Sequence, residues 1–236
     1  MADTAFKRRG QTGWLLAGIG AVLFAISLYL ALVYAPREAT LGEVQRIFYF
    51  HIGTAWNAFF AFGVVFVASI AYLKTRSRYW DRVAVSAAEI GVLFTTIVLF
   101  TGSIWGGAAW NAWWTWDPRL TTTLVLWFIY VAYLITRSSV EGWERRARFA
   151  AVFGIIGFVD VPIVFMSIRW WRTIHPLVVS SGGFAMDSRM LPALFSGLIA
   201  FVFLFFVLLR QRLELEALRD ETNALKEEVV AKAMQR

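Results

Sequence analysis

Two residue types in this chain stand in a pattern that could do chemistry: histidine, present twice among 236 residues, and tryptophan, present twelve times. Five tryptophans (Trp105, Trp110, Trp113, Trp114 and Trp116) fall within twelve residues, and the run closes on Asp117, Pro118 and Arg119. Indoles at that density make a broad apolar surface edged with N–H donors, suited to one large flat partner. Tryptophan also collects at headgroup depth in membranes. An interfacial belt, however, has no need of an acid and a base closing the run.

His51 and His175 flank this cluster, each close to the end of an apolar run. Neutral imidazole is a common metal ligand, and two imidazoles can hold one iron from opposite faces of a macrocycle. Indoles would cover the ring, and arginine would meet its carboxylates with paired hydrogen bonds. The ligand these residue types suit is haem. Other ligands fit less well. A zinc site wants a third or fourth protein ligand, and the chain has no HExxH or Cys-His grouping and no glycine-rich phosphate loop. No motif places a serine nucleophile beside either histidine. With no cysteine, disulfides, thiolate metal sites and covalent c-type haem attachment are excluded.

The elements that must position these residues are membrane helices. The chain is 59 % hydrophobic and 17 % charged, with a mean hydropathy of +0.61, the composition of a membrane protein. Six apolar runs, near 14–34, 52–73, 83–104, 120–136, 149–168 and 191–209, approach or exceed the length that crosses a hydrocarbon core. The prediction is an all-α polytopic protein of six transmembrane helices: a membrane domain over 1–209 with a Trp-rich outer loop at 105–121, and a charged helical tail at 210–236. The first run is too long for a signal-peptide core and is followed by no small-residue cleavage pattern, so it is expected to remain as an anchor.

Seventeen of the 23 Lys and Arg residues fall on one side of these spans. They lie at 7–9, 74–82, 137–148 and in the tail; Arg37, Arg46, Arg119, Arg169, Arg172 and Arg189 fall on the other. The positive-inside rule then predicts cytoplasmic termini and puts the tryptophans and both histidines outside. The net charge of +7 reports topology, with no nucleic-acid partner implied.

The first outer segment, Ala35–Phe50, spaces Leu41, Val44, Ile47 and Phe48 as an amphipathic helix that would lie in the interface and deliver the chain to His51 at the outer end of span 2. The third, Arg169–Met190, carries Trp170 and Trp171 between arginines, then His175 and a Ser-Ser-Gly-Gly turn at 180–183. Glu89 and Asp160 lie within spans 3 and 5, where charge is costly and raises a functional suspicion. The structural reading is preferred for both: Glu89 near an interface, and Asp160 bonding backbone groups freed by Pro162. The tail spaces Leu215, Leu218, Thr222, Leu225 and Val229 like a coiled-coil seam. At under three heptads it is expected to be a solvated helix.

Three strings resemble one known family. WGxxxWxxWWxWDxRLT over Trp105–Thr121, QRIFYFHIGTAWN around His51 and VPIVFMSIRWWRTIH ending at His175 are similar to CcmC, the haem-handling membrane protein family of cytochrome c maturation. The Trp-Trp-Asp motif is shared with the haem handlers CcmF and CcsA; a short six-span chain with one histidine in each flanking outer segment fits CcmC best. The resemblance covers about residues 14–209. It implies transient, non-covalent binding of haem b at the outer face of the inner (cytoplasmic) membrane and its delivery to the periplasmic haem chaperone CcmE. Implied partners are CcmA and CcmB, the ATP-binding-cassette subunits, and CcmD, within the membrane lipid. Position by position, His51 and His175 match the axial ligands, and Trp105, Trp110, Trp113, Trp114, Trp116 and Asp117 match the haem-binding motif. Arg119 stands where a propionate contact is expected, with Arg46 or Arg172 as a second propionate partner. Ala108 and Asn111 depart from the proline and glycine frequent in the family, so a local difference in the turn is expected.

The expected role is binding and transfer, not enzymatic. The alternatives are a permease subunit carrying haem or another small molecule, which would need a polar path through the bundle, and a bis-histidine electron-transfer cytochrome with permanent haem.

Overall fold

A computed structural model describes residues 2–176, 178–180, 183–184 and 186–234. The described residues form seven α-helices: α1 (Ala2–Tyr29), α2 (Arg46–Thr75), α3 (Arg78–Trp110), α4 (Pro118–Ser139), α5 (Trp143–Phe158), α6 (Asp160–Trp170) and α7 (Leu191–Met234). Together α5 and α6 make one crossing, broken at Val159 just ahead of Pro162. Six crossings are therefore long and apolar enough to span a bilayer. Helices are the form such segments must take, because hydrocarbon offers no partner to a free backbone N–H or C=O. An even number of crossings returns the chain to the end where it began. The connections at 35–45, 111–117 and 171–190 gather at the opposite end, called here the tryptophan end.

The helices run past the apolar runs at both ends, since polar residues continue a helix once it leaves the hydrocarbon. This changes two expectations. Residues 35–50 do not form a separate interfacial helix: a 3₁₀ turn at Glu43–Gln45 leads straight into α2, which starts at Arg46. Leu41, Val44 and Ile47 instead pack inward against Phe48, Trp105 and Met190. His51 thus sits more than a turn inside α2. Likewise, Trp105 and Trp110 are helical residues of α3, and only 111–117 is loop.

In the bundle centre, small residues let helices approach closely, the packing mode available where lipid removes the hydrophobic incentive to associate. Ala58, Ala61 and Ala68 of α2 are buried with Ala84, Ala87 and Ala88 of α3, and Phe62 stacks on Tyr130 of α4 with ring centroids 3.8 Å apart. Gly91 permits this stack, since a Cβ there would lie 2.5 Å from the Phe62 ring.

At the tail end, Arg137 of α4 meets Asp81 of α3 through two hydrogen bonds of 2.6 Å. Glu89 is ion-paired with Arg212 of α7, and Arg82 lies 2.9 Å from Asp220. The start of the tail is thereby fastened to α3, while Leu218, Leu225 and Val229 are exposed on a helix continuous with the sixth span. Asp160 departs from expectation: its Oδ2 is buried with no hydrogen-bond partner among the described residues, so it does not bind the backbone freed by Pro162. Beyond α6, Val179–Ser180 pairs antiparallel with Gly183–Phe184. Ser181 and Gly182 of the expected turn lie outside the described residues, as do Met1, Gln235 and Arg236.

Candidate functional site

Helix α3 ends in a way that folds the tryptophans back on themselves. Asn111 terminates it in the left-handed conformation (φ 54°), which asparagine tolerates better than most residues. The Ala112 N–H returns to the Gly106 carbonyl at 3.3 Å. Asparagine thus meets the turn's conformational need. Two glycines make the fold-back possible: a Cβ on Gly106 would lie 2.8 Å from the Ala112 carbonyl oxygen, and one on Gly107 would lie 2.9 Å from the Trp113 ring.

The loop ends at Asp117, whose carboxylate makes three contacts. It accepts the Arg119 N–H at 2.9 Å, capping α4 ahead of Pro118, and accepts the Thr173 hydroxyl at 2.8 Å and the Ile174 N–H at 3.0 Å. One side chain therefore starts a helix and ties the loop before it to the segment carrying His175. Hydrogen bonds to a charged acceptor are each worth roughly 1.5–3 kcal/mol.

These connections bring His51, His175, Trp105, Trp110, Trp113 and Trp114 onto the wall of one cleft between α2, α3 and α4. The cleft is narrow, with a cavity volume of about 80 Å³, and opens outward. Ala55, Phe59, Val98, Leu99 and Leu126 supply its apolar depth, and Gly102 and Ser103 of α3 run along one side. His51 is buried at 6 % exposure; its Nδ1 lies 2.9 Å from Thr101 Oγ1, and its ring packs against Trp105 with centroids 6.0 Å apart. Trp105 is itself 3 % exposed and touches Phe48 and Trp110. Trp113 is 66 % exposed and forms the rim.

His175 is half-buried in the loop after α6. Its Nδ1 lies 3.2 Å from the Pro176 carbonyl, which can only accept, so Nδ1 carries the proton and Nε2 the lone pair. Burial, reinforced by the nearby Arg119 charge and partly offset by the Pro176 carbonyl and Asp117, lowers its pKa to about 4. The ring is therefore neutral at physiological pH and competent to bind a metal.

Four sequence candidates stand differently. Trp116 does not line this cleft: 75 % exposed, it meets Trp114 edge-on (5.7 Å) and faces a second, outward cleft with Asp117, Trp171 and Arg172, because the chain has already turned toward α4. His175 borders that cleft as well. Arg119 lines the histidine cleft, but its Nη1 donates to the Val164 and Phe165 carbonyls of α6 at 2.8 and 3.2 Å, bracing α4 against α6. Arg46 is committed to Glu43 and to the Ala31 carbonyl, whereas Arg172 has no ion pair among the described residues.

The donor set suits haem: two imidazoles and an indole-lined apolar cleft with Arg119 in its wall. Two polar atoms on the cleft-lining residues, Trp105 Nε1 and Thr115 Oγ1, are buried without a hydrogen-bond partner among the described residues. Buried polar atoms ordinarily find a partner, so the wall retains hydrogen-bonding capacity for a guest. Among the described residues no group of three or more His, Asp or Glu could hold a bare metal ion. Thr101, Gly102 and Thr173 were not singled out from the sequence. The run of three small residues at 101–103, just where an apolar span ends, was the available signal.

The family model for CcmC, heme exporter protein C, matches residues 2–228. The heme exporter protein C of Bradyrhizobium diazoefficiens is 36 % identical over 212 residues, covering 89 % of this chain and 80 % of the relative. That of Escherichia coli K12 is 32 % identical over 199 residues, covering 83 % and 79 %. A putative cytochrome c biosynthesis ccmC-like mitochondrial protein of Arabidopsis thaliana is 31 % identical over 220 residues, covering 92 % and 83 %. A six-span membrane protein matched over nearly its whole length in this way belongs to the CcmC family, that of heme exporter protein C, and serves haem handling in cytochrome c maturation.

Proposed function

We propose that the chain holds haem b non-covalently in the tryptophan-lined cleft, with His51 and His175 as the two iron ligands, and releases it to CcmE. The observation that carries this reading is the convergence of the only two histidines of the sequence, from α2 and from the loop after α6, on one cleft lined by four tryptophans. Trp105, Trp110, Trp113 and Trp114 would contact the macrocycle, Asp117 would hold the loops together, and Arg172 with the remaining donors of Arg119 would meet the propionates. Bound here, haem contributes its iron as the centre the two imidazoles recognise; the protein binds, orients and lets go. No covalent step is assigned to any residue. Haem is then cargo rather than a resident cofactor, and the role is not enzymatic.

The orientation that fits puts the tryptophan end in the periplasm, with the termini in the cytoplasm and the bundle in the inner membrane, beside CcmA, CcmB and CcmD. The outward cleft bordered by His175, Asp117 and Trp116 is the side on which an acceptor would find the cargo. A carrier path through the bundle is less well supported: Glu89 is paired with Arg212, leaving Asp160 alone at depth.

The test is haem titration of the purified protein followed by absorption. Two imidazoles on reduced low-spin iron give sharp, split α and β bands. His51→Ala and His175→Ala should each replace them with a five-coordinate or water-ligated spectrum, and added imidazole should restore six-coordination. Unchanged spectra in both variants would remove the histidines as ligands. Tags at 40, 112 and 183 should report the side opposite to tags at 78 and 142; a cytoplasmic signal from 112 would overturn the orientation.

A further inference from the structure

His51 approaches α3 edge-on, and two successive residues of α3 receive it. Thr101 Oγ1 lies 2.9 Å from His51 Nδ1 and 2.7 Å from the carbonyl oxygen of Ile97, one turn back in the same helix. A carbonyl oxygen only accepts, so at that distance the single hydroxyl proton of Thr101 is spent on Ile97. What the hydroxyl presents to the imidazole is a lone pair, and a lone pair facing Nδ1 requires the proton to be on Nδ1. The next residue, Gly102, completes the seat: a Cβ there would lie 3.2 Å from His51 Cε1, against the ring edge between the two nitrogens.

We infer that Thr101 is a positioning residue that holds neutral His51 in the Nδ1–H tautomer, leaving Nε2 with the bare lone pair a metal ligand needs, while Gly102 gives the ring room to lie in that orientation. The inference rests on the reading of His51 as an iron ligand and adds the device that prepares it. Imidazole left to water favours the other tautomer, with the proton on Nε2, so the choice has to be imposed. Ligating histidines usually donate their second nitrogen to a carboxylate, backbone carbonyl or water, which fixes the ring and raises its basicity. A hydroxyl already spent as a donor is a neutral acceptor. It orients the ring with less added basicity than a carboxylate would confer, which suits a ligand that must let its cargo go.

The experiment reads the tautomer directly, without haem. The full chain carrying His175→Gln and a histidine-free affinity tag has a single histidine, so ¹⁵N-histidine labelling reports His51 alone. At neutral pH in detergent, Nδ1 should give the protonated signal and Nε2 the unprotonated one. Thr101→Val, nearly isosteric but without the acceptor, should move the population toward Nε2–H, and Thr101→Ser should keep it at Nδ1–H. In the otherwise unaltered chain, Thr101→Val should weaken haemin binding by about 10–100-fold, the usual effect of removing such a partner, with Thr101→Ser much closer to the parent. An Nε2–H signal in the parent chain, or an Nδ1–H signal that persists in Thr101→Val, would overturn the inference. If the tautomers behave as stated but no form of the protein binds haemin, the haem-ligand reading fails while the positioning of His51 by Thr101 stands.

Discussion

The two histidines differ in how they are held. His51 belongs to α2 inside the bundle, buried, its ring fixed by a hydroxyl of α3 and backed by Trp105. His175 sits in a loop, half-buried between two clefts; among the described residues its ring bonds its neighbour's carbonyl alone, and the loop is tied down through Asp117. One ring is thus set by tertiary packing of long helices, the other by a few hydrogen bonds of a connecting segment. Elements that move in function come from the regions of low local stability. The contrast teaches that, under the ligation proposed above, the cleft has one wall fixed by the bundle at His51 and one held by a connecting segment at His175.

The largest effect expected is loss of the fixed side. His51→Ala should weaken haem binding more than His175→Ala, by a further factor on the order of 10, as measured by titration, because the ligand it removes is already oriented and needs no ordering of a loop. Equal losses would erase the asymmetry. Next comes the aromatic platform. Replacing Trp113 and Trp114 together with alanine should lower occupancy by tenfold or more, at roughly 1.5–3 kcal/mol per large apolar side chain covered. Trp116→Ala, outside the histidine cleft, should leave haem affinity within about twofold, a ratio that equal effects from all three would contradict.

Asp117→Asn sharpens the contrast through the latch. Asparagine can still cap α4, but it replaces a charged acceptor of three donors with a neutral one. A cost of about 1–3 kcal/mol is expected, appearing as faster hydrogen exchange at the Ile174 amide with no change near Thr101. Uniformly faster exchange would mean that the latch serves the whole bundle. The smallest effect is that of pH. His175 has its pKa lowered to about 4, so in the folded chain it stays neutral, and able to ligate, as pH falls below 6.5. In that window the unfolded chain binds the proton and the folded one does not, so stability contributed by the neutral ring is full above pH 6.5 and declines toward pH 4. Six-coordinate haem should therefore persist to about pH 4 to 5; its loss near pH 6.5 would show His175 to be as exposed as a free imidazole.

What the sequence by itself determined is what depends on composition and local pattern. Hydropathy over some twenty residues is enough to place a helix in a bilayer, and six such runs became the six crossings. The string from Trp105 to Thr121 carries the family likeness in its residue types alone. Tertiary structure decided the rest, because it depends on which helix faces which. Nothing local to Thr101 and Gly102 shows that they meet His51 fifty residues away. Arg119 is an arginine beside an aromatic cluster in sequence, yet its donors reach α6 because α4 and α6 pack side by side. Trp116 belongs to the cluster by spacing but faces another cleft because the turn into α4 intervenes. Spacing along a chain reports what one element can present; only the packing of elements brings two histidines 124 positions apart onto the same cleft.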